Sequence, residues 1–198
     1  MADMLSVAGI DRLITMDLHA DQEQGFFDIP VDHLYASSVF LPFLKSLNLS
    51  NLVISSADVG GSKRASGYAK ALNVPLIHCN KHRDKPNEVA SMHIIGDCHD
   101  KDVVLIDDMV DTAGTIVKAA DLIKASGASS VRAVASHCIM SGPASQRILD
   151  SALDEIVFTD SIPFTQNCSK VKQLTVAPLF AEAIERVLEC KSISDLYV

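Results

Sequence analysis

The feature that most constrains this chain is the run Asp102-Val-Val-Leu-Ile106, four consecutive apolar residues of which three are β-branched. Such a run favours an extended strand, and a strand apolar on both sides must be covered on both faces. Comparable segments recur along the chain: Arg12–Leu18, Asn51–Ser56, Pro75–Cys79, Val131–Ser136, Glu155–Thr159 and Val171–Val176. Between several of them the apolar spacing becomes helical. Residues 61–72 place Ala65, Tyr68, Ala69 and Leu72 on one side; Ile116–Ala125 ends before Gly127; Ala144–Ala152 and Ala181–Cys190 follow. Alternating buried strands and helices predict an α/β fold, a mostly parallel sheet flanked by helices, in one domain over residues 1–198. Ligands of such sheets bind at the carboxyl ends of the strands, so the residues just after each strand are the ones to search. Residues 81–93 form the most polar stretch, and its first half is expected to be an exposed, mobile loop.

Composition narrows the function classes. The chain has 198 residues, 48% of them hydrophobic, and a formal net charge of −8. That balance argues against a general binder of nucleic acid or of an anionic membrane, which would carry a basic surplus. No stretch reaches the roughly 18 apolar residues of a membrane span, and the start of the chain lacks the features of a secretory signal. The five cysteines include no CxxC pair, which predicts reduced thiols in a cytoplasmic protein rather than a disulfide framework or a zinc site.

The segment Val104-Leu-Ile-Asp-Asp-Met-Val-Asp-Thr-Ala-Gly-Thr115 carries the clearest chemistry. An apolar strand delivers Asp107 and Asp108, and Asp111, Thr112, Ala113, Gly114 and Thr115 then lead into a helix. Small residues allow an anion close to the backbone, and free N–H groups at the helix start, with the Thr112 and Thr115 hydroxyls, can hold a phosphate. The preceding carboxylates suit sugar hydroxyls or magnesium, so a sugar phosphate satisfies both halves. A single Asp or Thr here would be read as a helix cap; the whole string is more specific. Three further strings follow strands. Asp17 and His19 sit two apart, sharing a face if the chain is extended there. Asp58-Val-Gly-Gly61 opens a helix with Lys63 and Arg64. Lys81 and Arg83 open the polar stretch.

The 104–115 string resembles the ribose-phosphate motif of the type I phosphoribosyltransferases. Two more strings, Met16-Asp-Leu-His-Ala-Asp-Gln-Glu-Gln-Gly-Phe-Phe-Asp-Ile-Pro-Val-Asp-His-Leu-Tyr35 and Ser56-Ala-Asp-Val-Gly-Gly-Ser-Lys-Arg64, look like the ribose-phosphate diphosphokinase (phosphoribosyl pyrophosphate synthase) family. The resemblance runs in order over essentially the whole chain. It implies a type I phosphoribosyltransferase-like fold and transfer of the diphosphoryl group of ATP to the 1-hydroxyl of ribose 5-phosphate, giving phosphoribosyl pyrophosphate and AMP. By the same resemblance Lys81 and Arg83 are catalytic. Arg83, Asp107, Asp108, Asp111 and Thr112 through Thr115 hold ribose 5-phosphate. His19, Asp58 and Asp17 belong to an Mg²⁺–ATP site, and Gln24, Asp32 and His33 fall at regulatory contacts. Ser141-Gly-Pro-Ala144 matches a family loop that reads equally as a helix-starting turn. The chain departs from the pattern at Ala57, where the family usually has proline, and at His33, where it commonly has asparagine.

The resemblance also implies a homo-oligomer, and an N-terminal partner domain that this sequence does not contain. The alternatives are a non-catalytic fragment or regulatory subunit that binds ribose 5-phosphate, and a salvage phosphoribosyltransferase, for which no nucleobase-covering segment is evident.

Overall fold

The computed structural model describes residues 1–82 and 91–196. The chain divides into two compact units, Met1–Val39 with Val176–Val198, and Phe40–Thr175.

The first unit starts with α1 (Ala2–Val7), which buries none of its side chains. Strand β1 (Leu13–Met16) then pairs in parallel with β2 (Val31–Leu34), and a 3-10 helix (Asp21–Phe26) connects them. Met16, Leu34 and Ala36 are its buried apolar residues in this stretch. Helix α2 (Ser37–Ser46) runs on into the second unit, where it buries Phe40 and Leu44 despite Pro42 in its interior.

The second unit is a seven-stranded sheet. Its strands in chain order are β3 (Leu52–Ser56), β4 (Leu76–His82), β5 (Ser91–Ile95), β6 (Asp102–Val110), β7 (Ser130–Cys138), β8 (Glu155–Thr159) and β9 (Val171–Leu174). Across the sheet they lie in the order β5-β4-β3-β6-β7-β8-β9. Every pairing is parallel except β4 with β5. The α/β class and the mostly parallel sheet are therefore as expected. Val103 and Leu105 pack with Val53, Val131, Ala133 and Ile156 on one face, under Ile116, Ala119, Ala120 and Ile123 of α4 (Gly114–Ala125) and Ile148 of α5 (Ala144–Asp150). Val104, Ile106, Ile54 and Val157 alternate to the other face, equally buried. Helix α3 (Ser62–Leu72) buries Ala65, Tyr68 and Ala69 and closes on Asn73 in the left-handed region. In the first unit, α6 (Ala177–Leu188) has proline in its first turn, and a short 3-10 helix (Ser194–Leu196) follows it.

Two features differ from the sequence reading. Residues 91–93, the end of the polar stretch, join Ile94 and Ile95 in β5, while the first half of the stretch lies largely outside the described residues. Met92 and Ile94 pack against the core while His93 and Ile95 face outward, a two-residue alternation too short to register inside charged surroundings. Strand β6 continues to Val110, so Asp107 and Asp108 lie within it rather than after it. Among the described residues, no helix is long and apolar enough to cross a membrane.

Candidate active site

The strand order places the site. From β3 the chain moves outward to β4 and β5, then returns to the other side of β3 as β6 and continues outward through β7 to β9. The connections diverge between β3 and β6, which opens a crevice at the carboxyl ends of these two parallel strands. The register pairs Ser56 with Ile106, so the residues that follow both are neighbours. They are Ala57 and Asp58 on one side and Asp107 and Asp108 on the other.

Asp107 is half-buried, and Asp108 retains only 8% of its exposure. Asp107 Oδ1 accepts the Asp108 backbone N–H at 2.9 Å. Burial, followed by the hydrogen bond shared with the Asp108 carboxyl, pushes the Asp107 carboxyl up to about 7, and the charge of Asp58 adds to the rise. The pair sits in a field that favours hydroxyl donors or a cation.

Beyond β6 the chain turns sharply. Asp111 and Thr112 are exposed, and Ala113 is buried in the left-handed conformation, with φ 61° and ψ 5°. Gly114 then starts α4, two residues earlier than the apolar spacing indicated. No side chain caps this helix, and its first turn holds no acid. The N–H groups of the first turn have no carbonyl within the helix to bond, so they and the positive end of the helix dipole are open to an anion. Thr112 through Thr115 thus form a helix start with open N–H donors, adjoining the Asp107–Asp108 pair in the chain.

The β3 loop is built differently. Asp58 is exposed, and its Oδ1 accepts the N–H of Gly61 at 3.1 Å, closing the turn on itself. The turn is tight at both glycines. A Cβ on Gly60 would come within 3.2 Å of Asp58 Oδ1, and one on Gly61 within 3.3 Å of Ser56 Cβ. At the N-terminal end of α3, Ser62 Oγ lies 3.2 Å from His78 Nδ1.

The remaining candidates divide between the two units. Asp17 and His19 follow β1 in the first unit, and Asp58 follows β3 in the second. Asp17 leaves the strand with φ 39°, so the extended geometry that would put Asp17 and His19 on one face is not present. Its carboxylate is buried and accepts the Ala36 N–H at 3.3 Å, while His19 is exposed. Asp17 therefore shapes the turn that carries His19. The three residues at the regulatory positions are held within their own unit. Asp32 pairs with Arg12, whose Nη2 donates to Oδ1 at 2.9 Å. His33 Nε2 accepts the Leu18 N–H at 3.2 Å, its ring stacks on Tyr35 with centroids 4.7 Å apart, and Gln24 lies 3.0 Å from Nδ1. The Gln24 atom facing Nδ1 is the amide nitrogen, which also donates to the Asp21 carbonyl at 3.0 Å.

The backbone of Lys81 lies in β4, paired with Met92. Arg83 lies outside the described residues. Among the described residues, no three acidic, histidine or cysteine side chains cluster to hold a metal ion. The carboxylates of Asp58, Asp107 and Asp108 are the hard oxygen donors magnesium prefers, and magnesium commonly takes one or two protein carboxylates, keeping water and substrate phosphate for the rest. The donor set fits that cation. All five cysteines are free, four of them buried. The Ser141-Gly-Pro-Ala144 string forms the turn that starts α5, and Ser141 N–H donates to the Asp111 carbonyl at 2.9 Å.

Comparison with known proteins agrees with this geometry. The chain is 63% identical over 198 residues to a ribose-phosphate pyrophosphokinase of Porphyromonas gingivalis, covering 100% of this chain and 63% of that protein. It is 51% identical over 197 residues to the protein of the same name from Helicobacter pylori, covering 100% of this chain and 62% of that one. The crystal structure of phosphoribosylpyrophosphate synthetase from Mycobacterium smegmatis superposes with a TM-score of 0.88 at 36% identity, covering 96% of this chain and 62% of that chain. The chain thus spans less than two thirds of each relative, and the resemblance read from its motifs is borne out along its whole length. The model of the phosphoribosyl synthetase-associated domain matches residues 79–198, from within β4 through the acidic pair and the start of α4, and the chain belongs to that family.

Proposed function

We propose that this chain binds ribose 5-phosphate at the β3/β6 crevice and serves the transfer of the diphosphoryl group of ATP to its 1-hydroxyl, giving phosphoribosyl pyrophosphate and AMP. The observation that carries the reading is the adjacency, along the chain, of an uncapped helix N-terminus to a pair of carboxyl groups, Asp108 buried and Asp107 half-buried. The cradle at Thr112–Thr115 takes the 5-phosphate. Asp107, Asp108 and Asp111 take the ribose hydroxyls. In the reaction the ribose O1 forms a bond to the β-phosphorus of ATP, the bond between that phosphorus and the oxygen bridging to the α-phosphate breaks, and the hydroxyl proton is released. Positioning and charge stabilisation account for most of the catalysis in phosphoryl transfers, so the protein's task is to hold acceptor and donor in line. Lys81 and Arg83 neutralise charge on the group in flight. Asp58 would hold Mg²⁺ with ATP, and the cation would supply charge neutralisation of the phosphates. The assembly is a homo-oligomer in the cytoplasm.

The test is AMP formation from ATP and ribose 5-phosphate with Mg²⁺, using this chain alone and joined to the additional length its relatives have. Inactivity of both sinks the enzymatic reading; inactivity of the shorter one alone identifies it as the acceptor half of the enzyme. In the active form Lys81→Ala is expected to lower turnover by about 10²–10³, the scale of losing one charge-stabilising group. Ribose 5-phosphate binding by calorimetry should survive that change, and unaltered turnover removes Lys81 from the mechanism.

A further inference from the structure

Helix α5 carries Arg147, a residue to which no motif points. Its Nη1 donates to the Thr112 carbonyl at 2.8 Å across 35 residues of chain. The same segment holds the two preceding carbonyls. Met140 N–H donates to Val110 and Ser141 N–H to Asp111, both at 2.9 Å. Three successive carbonyls leading into the anion cradle are thus tied to Met140–Arg147. This brace is itself well anchored. Met140 is 1% exposed with φ 53°, and its carbonyl accepts Gln166 Nε2 at 2.6 Å. Ala144 and Ile148 on the core side of α5 are fully buried.

We infer that Arg147 is the positioning residue of the anion cradle: its bond to the Thr112 carbonyl turns the Ala113 N–H to the opposite, ligand-facing side and holds Ala113 left-handed. In a planar trans peptide C=O and N–H point in opposite directions, so fixing one aims the other. Alanine does not adopt a left-handed φ without support, and the Arg147 bond supplies it. The guanidinium also brings charge. Nη1 stands 3.7 Å from where a Cβ on Gly114 would lie, beside the first residue of α4. Arg147 has no carboxylate partner among the described residues, so its permanent positive charge reinforces the helix terminus.

The inference rests on the ribose 5-phosphate reading and is tested so that the two can fail separately. Calorimetry with ribose 5-phosphate would compare the full chain with Arg147→Ala, Arg147→Lys and Arg147→Gln. Arg147→Ala is expected to weaken binding about tenfold, the scale of one lost charge-assisted hydrogen bond. Lysine should recover part of the affinity and glutamine less. Affinity unchanged in Arg147→Ala overturns the inference, whereas a wild-type chain that binds no ribose 5-phosphate sinks the reading of the site. A second measurement needs no ligand. Amide exchange at residues 113–116 should quicken in Arg147→Ala while residues 119–123 of α4 keep their protection. Quickening throughout α4 shows general loosening and overturns the positioning role, as does no change at 113–116.

Discussion

The loops after β3 and β6 start from the same problem and solve it in opposite ways. Each carries the chain from a buried parallel strand into a helix at the same crevice, and each contains acid and glycine. After β3, Asp58 folds back to accept the Gly61 N–H, so the turn supplies its own anion. After β6, no side chain caps α4, and Ala113 takes up a left-handed conformation. The first arrangement is self-satisfied and leaves only the outer oxygen of Asp58 for a cation. The second leaves donors exposed, which is costly without a ligand and useful with one. The acidic residues make the same point. Asp58 is exposed and Asp107 half-buried beside a second carboxyl, so one loop presents charge and the other withholds it.

The contrast can be broken by giving the β6 loop what the β3 loop has. Thr115→Asp puts a carboxylate in the first turn of α4. Ribose 5-phosphate binding by calorimetry should fall at least ~100-fold through like-charge repulsion and competition for the same N–H groups, while thermal stability holds or rises slightly from the helix dipole. Retained affinity would mean that the phosphate binds elsewhere.

Asp107→Asn gives the next largest effect, read in denaturant titrations against pH. The Asp107 carboxyl is raised from its ordinary value of 3.8 to about 7 in the folded chain. Between these values the unfolded chain loses the proton first, so stability declines as pH rises from about 4 to about 7 and the penalty is complete above 7. At about 1.4 kcal/mol per unit the penalty is bounded near ~4 kcal/mol. Asp107→Asn should remove it, stabilising the ligand-free chain above pH 7 and flattening this interval. An unchanged pH profile would place the Asp107 carboxyl in the ordinary range. Asp58→Ala gives the smallest effect. Loss of the turn-closing bond should cost about 1 kcal/mol of stability, with ribose 5-phosphate affinity within about threefold, an outcome that separates the two loops; a large loss of affinity would merge them.

The β6 string could be read directly because its signals are local. An apolar run, paired acids and small residues before a helical pattern are all properties of contiguous residues; the strand and the helix form there, with β6 running on through the acids to Val110 and α4 starting at Gly114. The misreadings also have identifiable causes. The run Arg12–Leu18 reads as a strand and carries Asp17 with it, but the strand ends at Met16 and Asp17 takes a positive φ, its carboxylate accepting the Ala36 N–H, a partner supplied by the chain beyond β2. Helix α2 gave no clear signal, since Pro42 and the neighbouring Val39 and Phe40 argue against a helix that burial of Phe40 and Leu44 stabilises. Arg147 sits exposed on a seven-residue helix and reads as an ordinary surface charge.

The order of helices and strands, the core strand β6 and the strand-acid-glycine string that leads into α4 were legible in the sequence, because strand, turn and helix-start preferences act over a few residues. Which strand neighbours which, and therefore that the ends of β3 and β6 flank one crevice, depends on hydrogen bonds between segments some 50 residues apart. The same holds for the raised Asp107 carboxyl, whose cause is burial, and for the Arg147 bond to Thr112, whose partners meet only when α5 packs on the sheet. Desolvation and long-range pairing exist only in the folded chain, and they give the acidic string its neighbours and its raised carboxyl.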